Sequence, residues 1–448
     1  MENEIKSNGR RQFLKGAASV AALGALGAGA LLKSCSESRP RGSDVDFLDQ
    51  APDGRVLKAG LIGCGGRGTG AAMNYLDAGP NLEITALADV FQDRLDRCRR
   101  ELKERKDVEV ADENCFVGFD AYQHLLETGV DVVLLCAPPY FRPAHFEAAV
   151  RARKHIFMEK PVAVDPVGAR SVMASARMAD AAGLKIVAGT QRHHQRDYVT
   201  TYQHIKAGMI GDIVAANCYW NQSQLWYVTP RPEWSEMEAM LRDWVNWTWL
   251  AGDHIVEQHM HNIDVVNWFT GKHPVKAVGF GARHRRRTAD QYDFFSVDFT
   301  FEDGMHLHSM CRQIDGCANN ISERIVGTKG VSNCQNRVED LDGNPLWEYS
   351  YPLNEAGQPT FQVAVSPYDQ EIINLVAAIR NNTAINEAEA CAISTMVAIM
   401  GRISAYTGQE VTWEEMMNSS MRLGPAELAM GPVNIPKDVP VPGTGPAL

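Results

Sequence analysis

A chain of 448 residues with 45% hydrophobic and 22% charged residues has the composition of an ordinary globular protein with room for two domains. Its formal charge of −11 excludes the basic surface that nucleic acid requires, and argues against adhesion of the folded body to anionic lipid.

Near the start, Arg10 and Arg11 precede Phe13-Leu14-Lys15 and an apolar run from Gly16 to Leu32, a pattern that resembles a twin-arginine signal read by a system exporting folded proteins. The run is short and weakly apolar for a stable membrane span. Leu32-Lys33-Ser34-Cys35 loosely resembles a lipoprotein cleavage box, with Lys33 atypical in it, so a lipid on Cys35 stands as an alternative to simple cleavage. The expected location is periplasmic. Residues 1–35 read as the signal and 36–54 as a polar linker. Of ten cysteines no two have C-x-x-C spacing, and Cys64, Cys136 and Cys218 lie in apolar stretches, which points to buried free thiols.

From Arg55 the chain alternates strands and helices. Strands are expected over Val56–Gly63, Leu82–Asp89, Asp131–Ala137, His155–Glu159 and Leu184–Gly189, with helices over Arg67–Ala78, Asp93–Arg105, Pro143–Arg153 and Pro166–Ala182. That order predicts a doubly wound parallel α/β sheet of the Rossmann type over 55–190. Successive strands then follow at Ile213–Gln222, Val275–His284, Tyr292–Phe301 and Met305–Arg312, interrupted by a helical region at 240–270. With amphipathic helices over Tyr368–Asn381 and Glu387–Thr407, residues 191–420 predict an α+β domain with an open, mainly antiparallel sheet. Residues 421–448 form a Pro/Gly-rich tail.

Gly63-Cys64-Gly65-Gly66-Arg67-Gly68 falls at a strand-to-helix turn. The first glycine permits the tight turn, the second lets a pyrophosphate approach the backbone, and the third allows the helix to close on the strand. Asp89 ends the next strand, 21 residues beyond Gly68, where its carboxylate can accept ribose hydroxyls and favour NAD. Arg94 leaves NADP open.

Ligands in such sheets sit beyond the carboxyl ends of the strands. Ala137-Pro138-Pro139 and Glu159-Lys160-Pro161 both fall there. Together with the glycine loop and His145, these residues resemble the glucose–fructose oxidoreductase, inositol dehydrogenase and MocA family, over about Val56 to Thr407. The Glu-Lys-Pro tripeptide is the most specific part. The resemblance implies a Rossmann domain, a sheet domain carrying a sugar site and often oligomer contacts, and Gly63, Gly65, Gly66, Arg67, Gly68, Asp89, Ala137, Pro138, His145, Glu159 and Lys160 at the cofactor.

The densest polar cluster is Asp253 to Asp264. Glu257, His261 and Asp264 are spaced i, i+4, i+7 and would share one face of a regular helix, with His259 turned away. A histidine with a carboxylate one turn off suits general-base work. Family sugar dehydrogenases carry Asp-x-x-x-His-x-x-Asp on such a helix; here Glu257 replaces the aspartate. Asp253, His254, Glu257 and His261 could instead hold a metal, but the spacing is permissive and no metal is assigned. Seven of nine tryptophans lie between Trp220 and Trp268, and Trp220 is a candidate pocket wall for a sugar. Arg192, after the last Rossmann strand, is a candidate for a substrate hydroxyl.

These residues predict an exported NAD(P)-dependent oxidoreductase acting on a sugar or glycoside hydroxyl. In it His261 takes the hydroxyl proton, Lys160 polarises the oxygen, Glu257 steadies the imidazolium, and hydride passes to a tightly bound nicotinamide. The alternatives are NAD-assisted glycoside hydrolysis and a non-catalytic sugar-binding lipoprotein. An open sheet face favours a dimer or tetramer.

Overall fold

The structure is a computed structural model and describes residues 47–444. The expected signal, Cys35 and most of the expected linker lie outside the described residues. Eleven elements build the first layer: β1 (Leu57–Ile62), α1 (Gly66–Asp77), β2 (Leu82–Asp89), α2 (Gln92–Lys106), β3 (Cys115–Val117), α3 (Ala121–Glu127), β4 (Val132–Leu135), α4 (Arg142–Arg151), β5 (His155–Met158), α5 (Pro166–Ala181) and β6 (Ile186–Ala188). All strand pairs are parallel, in the order β3-β2-β1-β4-β5-β6, with the reversal between β1 and β4 that a doubly wound sheet uses to seat a ligand. The central strands read as unbroken apolar runs because both faces are covered: every residue of Val132–Leu135 is buried. The doubly wound sheet predicted from the sequence is therefore present.

After α6 (Arg196–Lys206) the chain enters a nine-stranded sheet. Its principal strands are β7 (Ile213–Gln222), β8 (Lys276–Ala282), β9 (Phe294–Thr300), β10 (His306–Gln313) and β11 (Asn320–Gly327). Pairing is antiparallel except between β10 and β7, so the sheet is mixed but mainly antiparallel as expected. On its inner face Ala216, Cys218, Ala277, Val297, Leu307 and Ile325 are buried, while Val278 and Phe280 stand exposed on the outer face.

Four helices follow, α7 (Glu236–Arg242), α8 (Met260–Thr270), α9 (Pro367–Asn381) and α10 (Ala388–Thr407), of which α8 and α10 cover the inner face. α10 packs on both α5 and β8, and α9 packs on α1. The described residues belong to one compact unit whose core runs continuously through both sheets. This places the carboxyl ends of the parallel strands against α8.

Candidate functional site

β1 delivers the chain into the glycine loop. Gly63 adopts φ +98°, a conformation open to glycine at no steric cost. A Cβ on Gly68 would lie 1.8 Å from the Gly63 carbonyl oxygen, so this glycine lets α1 close against the strand. A Cβ on Gly65 or Gly66 would meet nothing within 4 Å. The N-terminal backbone of α1 is thus left open, which suits a phosphate group approaching its free N–H donors.

Asp89 ties the loop to β2. Its carboxylate accepts the Cys64 N–H at 2.7 Å and the Phe91 N–H at 2.9 Å. Burial pushes the carboxyl above its ordinary value, opposed by the Phe91 N–H, the Arg94 charge and the Cys64 N–H. Beside it lies a cavity of about 470 Å³. The glycine loop, Asp89, Arg94, Ala137, Pro138 and His145 line one side; Trp226, Val228, Leu241, Arg242 and Trp244 line the other. The His145 ring is 4.3 Å from that of Tyr122, and burial, with the Arg142 charge, holds it down to about 3, so it is neutral at ordinary pH.

Lys160 follows β5, joined to Pro161 by a cis peptide bond. The Glu159 carboxylate accepts from Arg67 of the glycine loop and from the Lys160 N–H at 3.1 Å. Arg67 also pairs with the buried Glu371 at 2.9 Å and lies over the Tyr368 ring at 5.0 Å. The Lys160 ammonium donates to the backbone carbonyl of Glu257 and, at 3.2 Å, to its carboxylate. Glu159 therefore serves the phosphate end of the site, while Lys160 faces the helix cluster.

That cluster departs from the sequence expectation in one respect. Ile255–His259 form a π-helical turn before α8, so the i, i+4 stacking of a regular helix does not carry Glu257 onto His261. Glu257 pairs with Lys160 instead, and its second carboxylate oxygen is buried without a partner. Burial raises its carboxyl, against the pull of Lys160 and Arg142. Asp264 likewise turns from His261: it accepts from His193 at 2.6 Å and from Ser394 at 2.7 Å. His259 faces the sheet, where it bonds Ser309 at 2.7 Å.

The His261 ring has no hydrogen-bonding partner among the described residues. Its ring lies nearly parallel to that of Trp220, 5.7 Å between centroids. Burial, with the charges of Lys160, Arg192 and His193, drives its pKa well below the ordinary value. Arg192 sits 5.7 Å from the Trp220 ring and pairs with buried Glu323 at 2.7 Å. Trp220 thus has both a guanidinium and an imidazole against its ring, which makes it a wall for His261 more than a free platform. Asp253 turns to His254, Tyr292 and Tyr406, so it does not join Glu257 and His261 in a metal-binding group; among the described residues no such group of three is found.

Sequence reasoning missed Arg142, Glu323 and Arg242. Buried Arg142 donates to the carbonyls of Ala137 and Pro161, joining the two strand-end segments. A signal was available: a cation at the first position of a helix opposes the helix dipole and needs another reason to be there. The arrangement fits a nicotinamide dinucleotide, with open glycines for the pyrophosphate, Asp89 at the ribose position, and Lys160 and His261 beyond.

Residues 57–185 match the Gfo/Idh/MocA oxidoreductase family with NAD-binding Rossmann fold, and residues 198–332 match a GFO/IDH/MocA C-terminal domain. The myo-inositol 2-dehydrogenase of Thermotoga maritima is 28% identical over 155 residues, 35% of this chain and 42% of that protein. The NADP-dependent scyllo-inositol 2-dehydrogenase of Bacillus subtilis is 23% identical over 250 residues, 55% of this chain and 60% of that one. The chain thus spans about half the length of the curated relatives it matches. The structure of scyllo-inositol dehydrogenase from Lactobacillus casei, solved with NAD(H) and scyllo-inositol, shares the fold with a TM-score of 0.58 and 21% identity, covering 80% of this chain and 99% of that one.

Proposed function

The chain belongs to the Gfo/Idh/MocA oxidoreductase family, and from that premise we propose that it oxidises or reduces a hydroxyl-bearing carbon of a sugar, a glycoside or a related polyol. The observation that carries this reading is Lys160, from a Rossmann strand end, bonded to Glu257 of the π turn, with the buried His261 ring just beyond it on α8, kept neutral by burial and by the charge of Lys160. The nicotinamide, when bound, supplies the hydride acceptor or donor. Gly63, Gly65, Gly66 and Gly68 hold its pyrophosphate end, and Asp89 favours NAD over the phosphorylated form. His261 takes the hydroxyl proton; Lys160 steadies the charge left on that oxygen. Glu257 acts through Lys160, and Trp220 orients the imidazole.

Export by the twin-arginine route to the periplasm, with Cys35 as a lipid site, belongs to the same proposal and rests on Arg10, Arg11 and Cys35 in the sequence. Outside the cytoplasm spent cofactor has no free pool to exchange with, so we infer a tightly held NAD restored within each cycle. The outer sheet face, with Val278 and Phe280 exposed, supports assembly into a dimer or tetramer. A second reading, glycoside cleavage through transient oxidation, is favoured by Glu257, whose raised and half-unpaired carboxyl is suited to protonating a leaving group.

The test is to denature the purified protein, identify any released nucleotide and its redox state, and then assay sugars and glycosides with Lys160→Ala and His261→Ala variants. Stoichiometric NAD(H) with turnover lost in both variants is the expected result. No turnover by the wild type on any sugar, with sugar binding kept, would replace the reading with a binding protein.

A further inference from the structure

The cavity beside the glycine loop has walls from two distant parts of the chain. Phe91 and Arg94 belong to the Rossmann layer; Trp226, Leu241, Arg242 and Trp244 come from beyond residue 190. A dinucleotide seated on the glycine loop and Asp89 therefore has its adenosine half between a Rossmann floor and a roof from the second domain.

Floor and roof are clasped at one point. Arg242, at the end of α7, forks onto both carboxylate oxygens of Asp93, at 2.9 and 3.0 Å. Its guanidinium carbon lies 4.1 Å from the ring centroid of Phe91, and Glu238 holds its Nε at 2.8 Å. Phe91 in turn donates its N–H to Asp89, so the clasp bears directly on the ribose-binding carboxylate. Around it Phe91, Phe141, Met240, Leu241, Trp249 and Val433 form a separate apolar cluster that interlocks the two layers.

The roof is also strapped from behind. In the tail, Val433 N–H bonds the Glu236 carboxylate at 2.7 Å, and Gly431 accepts the Met237 N–H at 3.0 Å. Nearer its start the same tail is tied to the Rossmann layer: Leu423 N–H bonds Asp165 at 2.9 Å, and just before the tail Arg170 donates to the Ser419 carbonyl at 2.6 Å. The Pro/Gly-rich tail is thus a belt across both layers.

We infer that the 226–244 roof, clasped by Arg242 on Asp93 and Phe91, binds the adenosine half of the dinucleotide and keeps the cofactor from exchanging. This deepens the proposed function and rests on its reading of a tightly held NAD. Release requires floor and roof to part, which breaks the fork and the guanidinium–ring contact before the nucleotide can leave.

The test uses the full chain loaded with adenine-labelled NAD and chased with unlabelled NAD. Arg242→Ala should release label about tenfold faster than wild type, the order expected for losing one forked ion pair and one cation–ring contact, and Asp93→Asn, which keeps the cation–ring contact, about threefold faster. The double variant should be no faster than the Arg242→Ala single, because both remove one clasp. Asp93 is largely exposed, so its variant folds even if the arginine variant does not. Equal release from wild type and Asp93→Asn overturns the clasp while leaving NAD binding intact. Failure of all proteins to hold labelled NAD overturns the clasp together with the reading beneath it.

Discussion

The ammonium of Lys160 is bound to Glu257 twice, through the backbone carbonyl as well as the carboxylate. That carbonyl belongs to the π-helical turn before α8, where the backbone pairing departs from the regular i, i+4 pattern, and it accepts a side chain from another layer. The backbone contact survives when the carboxylate is neutralised. Lys160→Ala is therefore expected to reduce turnover by about 10²–10⁴-fold with NAD still bound. Glu257→Gln should lose much less, because the carbonyl still positions the ammonium. Equal losses in the two variants would mean that the carboxylate, and not the position of Lys160, carries the chemistry.

His261 has an unusual acid limb. Burial first, then the positive charges of Lys160, Arg192 and His193, lower its pKa well below 6.5. A base works in its neutral form, and a lowered pKa keeps the imidazole neutral to lower pH. The profile of kcat/KM should thus show no fall near pH 6.5, and its acid limb should lie well below. Removing one of the charges must shift the limb upward, so Lys160→Ala, assayed through its residual activity, should have its acid limb at higher pH than wild type. A limb at 6.5 in the wild type would place the base elsewhere.

Asp264 belongs to the architecture. It lies on α8 like His261, but its two oxygens are taken by His193 and Ser394, both buried. Asp264→Asn converts one acceptor oxygen into a donor against these partners, which costs about 1–3 kcal/mol for a buried group left unsatisfied. The expected outcome is a lower denaturant midpoint with an unchanged m-value and retained NAD. A large loss of turnover at unchanged stability would instead put Asp264 in contact with substrate.

What was legible in the sequence follows from how local each feature is. Leu82–Asp89 and Ile213–Gln222 match their predicted bounds because apolar patterning and turn residues delimit them. β3 is three residues long and not fully buried, and β11 carries a buried charged residue, Glu323, between half-buried Ser322 and exposed Arg324, so neither shows a clean strand pattern. The glycine loop was readable since its chemistry is contained in six residues. The pairings of Lys160 with Glu257 and of His193 with Asp264 were not, because each joins residues far apart in the chain and one depends on a π turn that a 3.6-residue period does not reveal. Arg242 shows no sign of its role until the two layers are brought together.

The glycine loop allows fold and ligand to be tested apart. At Gly68 a Cβ would collide with the Gly63 carbonyl, which is backbone and has nowhere to yield. At Gly66 it meets only open space in the helical first turn, where alanine is otherwise the better helix former. Gly68→Ala should therefore lower thermal stability and abolish NAD binding together. Gly66→Ala should keep or slightly raise stability, yet weaken NAD by tenfold or more, on the order of 1.4 kcal/mol, because the new methyl occupies the approach of the pyrophosphate. Calorimetry with NAD on both variants, alongside their melting temperatures, checks the pair. Unimpaired NAD binding by Gly66→Ala would show that the phosphates do not lie against this turn.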